Sequence, residues 1–500
     1  MKKILAVLFL SFFVFASISM AIGFDRELRP VISAKNNVRV EKNIIFDASS
    51  SFVLDGPEPV FYTWDFGDGT YERGANVVHT YRKPGNYTVK LTLSQGKEKA
   101  SVMSDVFAYK KLVLMMTDMA AKKENIALLA DDAQKEGTFV HLIESYDSTT
   151  AFMSEESIIK KLTEQGEALS NAEIITSWTA GGSGINALSQ LMRMENEVAV
   201  KMKEPIQGKT IVVISDGNLN SMARILQVHF NIIKPKQIII TREHELKNLI
   251  AAPTAEDFLA HLEKSISEYK VINEKTGRVS LLNSISYLVN FMIVKGIPSN
   301  TIVLLLMLPI IATLIALIKQ TVGITTFGLY LPSIITLSFL ALGLKFGLSI
   351  LIILIVTGAV LRKALDHFRL LHIPRVAIIL SITAFIILLM LAAGTYLGIS
   401  QIATIAVFPM LIMTALAEKF VSALSERGIW GTFLLMLETT AVSLLCYSVV
   451  EWQFLQTLML AHPEIILLLI VINYFLGRWT GLRLVEYLRF KEVMKYTEEE

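Results

Sequence analysis

The chain is 500 residues long, 53% hydrophobic and only 18% charged, with a mean hydropathy of +0.51. Its net charge of +2, with no clustered basic surface, argues against a nucleic-acid binder. The single cysteine, Cys446, excludes an intrachain disulfide and leaves no thiol nucleophile outside the apolar half.

Residues 1–23 have the parts of a secretory signal: Lys2 and Lys3, an apolar run from Ile4, and small residues around Ser19-Met20-Ala21. A signal peptide of residues 1–21 is expected, with an uncleaved anchor as the alternative. In both cases the following residues are exported.

Residues 28–109 read as a small β-sandwich. Short alternating runs at 43–47, 60–64 and 87–93 are broken by Gly, Pro, Asn and Asp turns. Trp64 and Phe66 alternate with Asp65, so both rings lie on one face of a strand, against an opposing sheet. Asp68-Gly69 suits a tight turn, and Pro84-Gly85 precedes the last strands. The stretch Trp64-Asp65-Phe66-Gly67-Asp68-Gly69-Thr70, with His79-Thr80-Tyr81 and Pro84-Gly85-Asn86-Tyr87, resembles the polycystic kidney disease (PKD) repeat. That resemblance implies an immunoglobulin-like fold used as a spacer or protein-binding module. Calcium binding by Asp65 and Asp68 is the alternative use of those carboxylates.

Residues 110–252 change period. Strand-like runs at 112–116, 139–143, 173–177, 210–214 and 237–240 alternate with helical stretches at 124–136, 155–169, 185–198 and 221–233. That alternation predicts a doubly wound α/β domain with a parallel sheet, whose ligands bind at the carboxyl ends of the strands. Those ends carry Thr117-Asp118, the loop from Trp178 to Gly184, and Ser215-Asp216-Gly217. The trio Asp118, Ser183 and Asp216 loosely resembles the metal edge of a von Willebrand factor A-like domain. The two serines which that family places after the first strand are here Ala120 and Lys122. The plainer reading is that these are turn and cap residues. Gly181–Gly184 lacks the Lys-Ser/Thr of a phosphate loop.

Residues 253–299 are expected to link this domain to the membrane. A helix begins at Thr254-Ala255-Glu256-Asp257 with Phe258, Leu262, Ile266 and Tyr269 on one stripe, and residues 280–295 form an amphipathic run for the membrane surface. The choice is between a stiff coupling helix and a plain tether, and the tether is the simpler.

Residues 300–482 hold seven apolar segments, at 302–318, 327–343, 346–361, 376–397, 399–417, 430–450 and 465–481. A helix crosses the hydrocarbon with about 20 residues. With 22–300 outside the cytoplasm, Lys319, Arg362, Lys363, Arg369, Arg375, Lys419 and Arg427 fall in cytoplasmic connections, as does the basic tail 483–500. The opposite connections carry only Lys345, as positive-inside charge bias requires. The chain is therefore read as a multi-pass protein of the plasma or inner membrane with a cytoplasmic C-terminus. Pro309, Pro332 and Pro409 fall within spans. Glu438 and Asn473 are the intramembrane polar candidates, Glu438 with Thr439 or Thr440 as its expected partner.

Lys295-Gly296-Ile297-Pro298, Gly323-Ile324-Thr325-Thr326-Phe327-Gly328, Leu371-His372-Ile373-Pro374-Arg375 and Glu418-Lys419-Phe420 resemble the seven-helix membrane domain usually fused to an inactive transglutaminase-like domain. Here the PKD-like and α/β domains stand where that domain would be. The resemblance implies no known reaction, and a pathway link to an ATP-grasp ligase-like protein.

The fold class is thus a multidomain membrane protein: a β-sandwich and a doubly wound α/β domain outside, and an all-α bundle of seven transmembrane helices. No catalytic constellation, cofactor or nucleic-acid partner is expected. The first reading is a non-enzymatic envelope receptor or scaffold whose exported domains bind a protein or wall polymer. The second is a carrier or channel with a polar path around Glu438. The third is a metal-dependent extracellular enzyme or adhesion domain at the Asp118, Ser183 and Asp216 edge.

Overall fold

The computed structural model describes residues 27–54, 57–146, 150–194, 197–273, 284–366 and 407–479, with scattered positions at 374–392 and 481–487. The expected signal peptide, most of the span at 376–397, the start of that at 399–417 and nearly all of the tail lie outside the described residues. The chain divides into two compact units: Met1–Lys111 with Ala130–Phe139, and Leu112–Leu129 with Val140–Glu500.

The first unit is built on strands β1 (Asn37–Arg39), β2 (Ile44–Asp47), β3 (Val60–Asp65), β4 (Tyr71–Arg73), β5 (Asn76–His79), β6 (Gly85–Gln95) and β7 (Glu98–Tyr109). One sheet runs β1-β7-β6-β3-β4 and the other pairs β2 with β5. Alternation along β3 and β6 turns one side of each strand inward, and Phe46, Trp64, Phe66, Tyr81, Leu91 and Leu93 are completely buried. The Trp64 indole donates to the Gly74 carbonyl at 2.9 Å and the Tyr81 hydroxyl to the Phe66 carbonyl at 3.1 Å, so both polar tips are satisfied.

The loop after β3 is set by its aspartates. Asp65 accepts from the Gly67 N–H at 3.0 Å, and Asp68 accepts from the Thr70 N–H and hydroxyl at 3.0 and 2.5 Å. The other Asp68 oxygen meets His79 Nε2 at 2.9 Å, and that imidazole stacks on Phe66 at 3.9 Å. Both carboxylates thereby help to hold the turn. Burial opposes ionisation of Asp68, but the Thr70 and His79 hydrogen bonds outweigh it and hold the carboxyl below its usual range. Gly67 has φ +76°, and a Cβ there would sit 2.8 Å from the Thr88 carbonyl oxygen. Gly67→Ala is expected to cost about 2–3 kcal/mol, since strained backbone and overpacking each contribute about 1 kcal/mol or more. A shift in the thermal unfolding of this unit measures it.

A six-stranded sheet, all of it but Lys111, Thr138 and Phe139 in the second unit, is built from β8 (Lys111–Thr117), β9 (Thr138–Glu144), β10 (Ile174–Trp178), β11 (Thr210–Ile214), β12 (Gln237–Thr241) and β13 (Lys270–Ile272). Its order is β13-β12-β11-β10-β8-β9. β8, β10, β11 and β12 run parallel, and β8, β10 and β11 are buried along their whole length. Uninterrupted apolar strands of this kind need helices on both faces. Read from β9, the sheet has the doubly wound 2-1-3-4-5 order with an added edge strand, so its switch point lies between β8 and β10.

The sheet extends past residue 252, where a linker was expected. The helix Ala255–Lys264 buries Phe258 and Leu262 completely, and β13 then pairs antiparallel with β12. Ile266 and Tyr269 fall beyond the helix end at Lys264, so the expected stripe stops after two members. A three-residue edge strand carries too short an alternation to be read from sequence.

Nor is the connection to the bundle a tether. The helix Ser284–Val294 was expected on the membrane surface; instead Val289 and Ile293 are buried in one cluster with Val228 of the helix Leu219–Ile233 and with Ile302, Leu306, Met307, Cys446 and Met459. The α/β domain and the bundle therefore share an apolar core. Polar ties reinforce it: Arg193 donates to the Ile293 carbonyl, Ser286 donates to Glu464 from its N–H at 2.9 Å and its hydroxyl at 2.7 Å, and Arg224 meets His462 at 3.2 Å.

Among the described residues, two helices are long and apolar enough to cross a membrane, Ser299–Thr321 and Trp430–Val450. Gln453–Ala461 and Ile465–Gly477, joined by a bend of 108°, make a third if counted together. The expected second span is the 13-residue helix Tyr330–Leu342, stopped by Gly343 at φ +80°, and the third is Leu344–Asp366. The sixth is the end of a helix running Val407–Val450, broken at Gly428, where φ is 75° and ψ −179°. The fold is that of a multi-pass membrane protein.

Candidate functional site

Two loops meet at the switch point. After β8 the chain turns at Asp118, and after β10 it passes through Thr179, Ala180 and the consecutive left-handed glycines Gly181 (φ +61°) and Gly182 (φ +80°) into the helix Ser183–Leu191. Gly184 lets that helix start lie close on the sheet: a Cβ there would stand 2.5 Å from Ser177 Oγ and 3.4 Å from Met116 Cβ. Asp118 ties the loops together. Its Oδ1 accepts from the Ala180 N–H and its Oδ2 from the Ser154 hydroxyl, both at 2.8 Å. Burial raises the Asp118 carboxyl above its ordinary range, and the hydrogen bonds from Ala180 and Ser154 partly offset that.

Next to it lies a buried polar knot. Glu155, only 3% exposed, accepts from Asn186 Nδ2 at 2.5 Å and Gln190 Nε2 at 2.9 Å. Asn186 and Gln190 stand one turn apart on their helix and face the same way. Asn300, in the first turn of the Ser299–Thr321 helix, turns its amide toward Glu155 and weakly stabilises the carboxylate, yet its nitrogen completes no hydrogen bond. Burial dominates, pushing the Glu155 carboxyl up to about 8, with nearby Asp118 adding in the same direction. Glu155 therefore stays largely protonated at neutral pH.

The carboxyl edge of the sheet opens into two adjoining cavities whose far walls come from the bundle. One, of about 510 Å³, lies between Trp178, Asp216 and Met222 on the sheet side and Glu451, Trp452 and Phe454 on the other. The smaller, of about 180 Å³, is bounded by Asp118, Ser154, Asn300, Tyr447, Glu451 and Gln456. Gly181, Glu451 and Gln453 belong to both. Glu451 accepts from the Tyr447 hydroxyl at 2.5 Å.

Of the residues expected at a metal edge, the structure places Asp118 and Ser183 on either side of Ala180, whose carbonyl accepts from the Ser183 hydroxyl at 2.8 Å. Asp216 lines the larger cavity and not the smaller. Both Asp118 oxygens are engaged by protein donors, and the positions that would supply hydroxyl ligands after β8 are Ala120 and Lys122. The residues present do not fit the proposed metal. Among the described residues, no group of three or more His, Cys, Asp or Glu is placed to hold one.

Glu438 accepts a hydrogen bond from Thr325, a partner in the loop before Tyr330 and not its helical neighbours Thr439 or Thr440. Thr439 instead donates to the Leu435 carbonyl at 2.7 Å. Asn473 donates to Thr313 Oγ1 at 2.7 Å and to the Leu469 carbonyl at 2.9 Å. Among the described residues no hydrogen bond joins Glu438 to Asn473.

One Ser–His contact has the spacing of a catalytic dyad: Ser189 Oγ lies 2.7 Å from His229 Nδ1. Both residues are buried, and burial pulls the imidazole down to about 3. The other ring nitrogen meets no acceptor among the described residues. This pair has neither an orienting acid nor access to either cavity, so it packs the core. Sequence reading missed Glu155, Asn300, Glu451 and Trp452. The legible signal for Glu155 was its place on the apolar stripe with Ile158 and Leu162, both completely buried.

Comparison with known proteins bears on the two ends of the chain. Residues 27–108 match the PKD domain, and residues 259–494 match the family described as 7 transmembrane helices usually fused to an inactive transglutaminase. Collagenase ColA of Clostridium perfringens is 43% identical over 70 residues, which is 14% of this chain and 6% of that protein. Collagenase ColQ1 of Bacillus cereus is 35% identical over 88 residues, 18% of this chain and 9% of that protein. The chain thus spans under a tenth of these relatives' length. A sialyltransferase structure from Photobacterium damsela aligns over 38% of this chain and 44% of its own at 10% identity, with a TM-score of 0.15 that carries no argument. The chain therefore carries a PKD domain at 27–108 and, at 259–494, the membrane domain of the seven-helix family usually fused to an inactive transglutaminase.

Proposed function

We propose that the protein is a non-enzymatic receptor or scaffold of the cell envelope. Residues 22–300 stand outside the cytoplasm and the C-terminus inside, as the distribution of Lys and Arg favours. The PKD domain binds an envelope protein or wall polymer. The α/β domain binds a smaller ligand at its switch point, and the bundle reads it out. One observation carries this reading: the sheet-edge cavity is walled by the segment joining the Trp430–Val450 helix to the bent pair after it. A ligand there touches the α/β loops and the bundle together, and the shared core around Val228 and Ile302 transmits strain between them. The collagenase likeness covers too little of either chain to lend a substrate.

The test is cross-linking of the full-length protein in its native membrane, followed by identification of what co-purifies. Three forms are compared: wild type, a deletion of 27–108, and Thr457→Trp, which fills the larger cavity. A macromolecule lost with the deletion and a small molecule lost with Thr457→Trp are expected. Identical material from all three forms would overturn the receptor reading.

A further inference from the structure

The lining of the two cavities names a ligand class. Among the described residues, neither cavity presents a lysine, arginine or histidine, while Asp118, Asp216 and Glu451 all face them. Lys122 and Arg242 flank Asp216 outside the larger cavity, where each is held by a carboxylate, Glu243 at 2.7 Å and Glu268 at 2.6 Å. Asp118 and Glu451 form no ion pair among the described residues; their partners are neutral donors. The smaller cavity is also lined by Asn300, a residue 8% exposed. The larger cavity presents three aromatic rings, Trp178, Trp452 and Phe454, beside Ile214, Met222 and Leu458. Its volume of about 510 Å³ falls within the range of small-molecule sites, about 300–1,000 Å³.

We propose that the paired cavities bind an organic ammonium compound with an apolar body. The ammonium sits in the smaller cavity between Asp118 and Glu451, where charge-assisted hydrogen bonds and the low local dielectric favour it. The apolar body lies among the aromatic rings of the larger cavity, which also attract a cation through their faces. Gly181 lines both cavities and adds no side chain where they adjoin; a Cβ there would meet nothing within 4 Å. This assignment rests on the cavity being the ligand site of the receptor reading.

Calorimetric titration of the full-length protein in lipid nanodiscs tests it with three probes of one shape: 3-amino-N-benzylpropanamide, its hydroxyl analogue N-benzyl-3-hydroxypropanamide, and the anion N-benzylsuccinamate. The ammonium probe is expected to bind and the other two to bind at least tenfold more weakly. Glu451→Gln is expected to weaken the ammonium probe about tenfold and leave the hydroxyl analogue unchanged, as the loss of one charge-assisted contact predicts. Equal binding of the hydroxyl analogue or the anion would overturn the ammonium class while leaving the cavity a ligand site. Binding of none of the three would overturn the ligand site as well. The comparison among probes uses wild-type protein, so it stands whether or not a variant folds.

Discussion

Glu155→Ala is expected to destabilise the α/β–bundle unit by about 3–5 kcal/mol, whereas Glu155→Gln costs under about 1 kcal/mol. Alanine leaves the buried Asn186 amide and the half-buried Gln190 amide without an acceptor, at about 1–3 kcal/mol each, and opens a small void. Glutamine keeps an acceptor, and rotation of one partner amide accommodates its new NH₂. The two variants also separate by pH. The Glu155 carboxyl is raised from 4.5 to about 8 in the folded protein, so the folded state holds a proton that the unfolded chain releases. Its stabilising contribution is complete below pH 4.5 and is lost as pH rises through about 8, a change on the order of 3–5 kcal/mol. His229 acts in the opposite direction. Its imidazole is lowered from 6.5 to about 3, so its contribution is complete above pH 6.5 and is lost as pH falls toward 3. Unfolding of the nanodisc-embedded protein followed from pH 5 to 9 should show stability falling toward alkaline pH in wild type and a flatter limb in Glu155→Gln. A wild-type limb as flat as the variant's would mean that Glu155 is ionised in the fold.

Local patterns were readable and non-local ones were not. The runs at 112–116 and 210–214 announce β8 and β11 because a strand buried on both faces must be continuously apolar. Trp64 and Phe66 announce the sandwich core because the two-residue period puts both on one face. Asp118 and Asp216 were found because strand ends are marked by small and acidic turn residues. Asn300 and Glu451 were not, because their importance arises only when the bundle meets the sheet edge, across sequence separations of more than a hundred residues. The same holds for Ser284–Val294: its apolar residues serve equally on a lipid surface or in a protein core, and only the neighbouring Val228 decides. Glu438 shows the limit within the membrane, since hydroxyls on its own helix were nearer in sequence than Thr325.

Trp64→Ala is expected to unfold the PKD unit while leaving the α/β–bundle unit folded. The indole is completely buried, 5.7 Å from the Phe46 ring and 6.3 Å from the Phe66 ring, and its N–H satisfies the Gly74 carbonyl. Truncating a core tryptophan costs about 3–5 kcal/mol, most of what a sandwich of this size commands. The damage should stay local because the chain divides into two compact units, and the buried cluster around Trp64 is drawn from residues between Leu28 and Ala108. Hydrogen exchange on the full-length variant should show peptides from 37–109 losing protection, with those from 174–241 and 299–321 unchanged. If all exchanged together, the units would be one cooperative body and the division of labour between them would fail. With the expected result, the same variant separates the two binding roles. Macromolecular capture should disappear with the PKD fold, and 3-amino-N-benzylpropanamide should still bind at the sheet edge, because every residue contacting it belongs to the unit that remains folded.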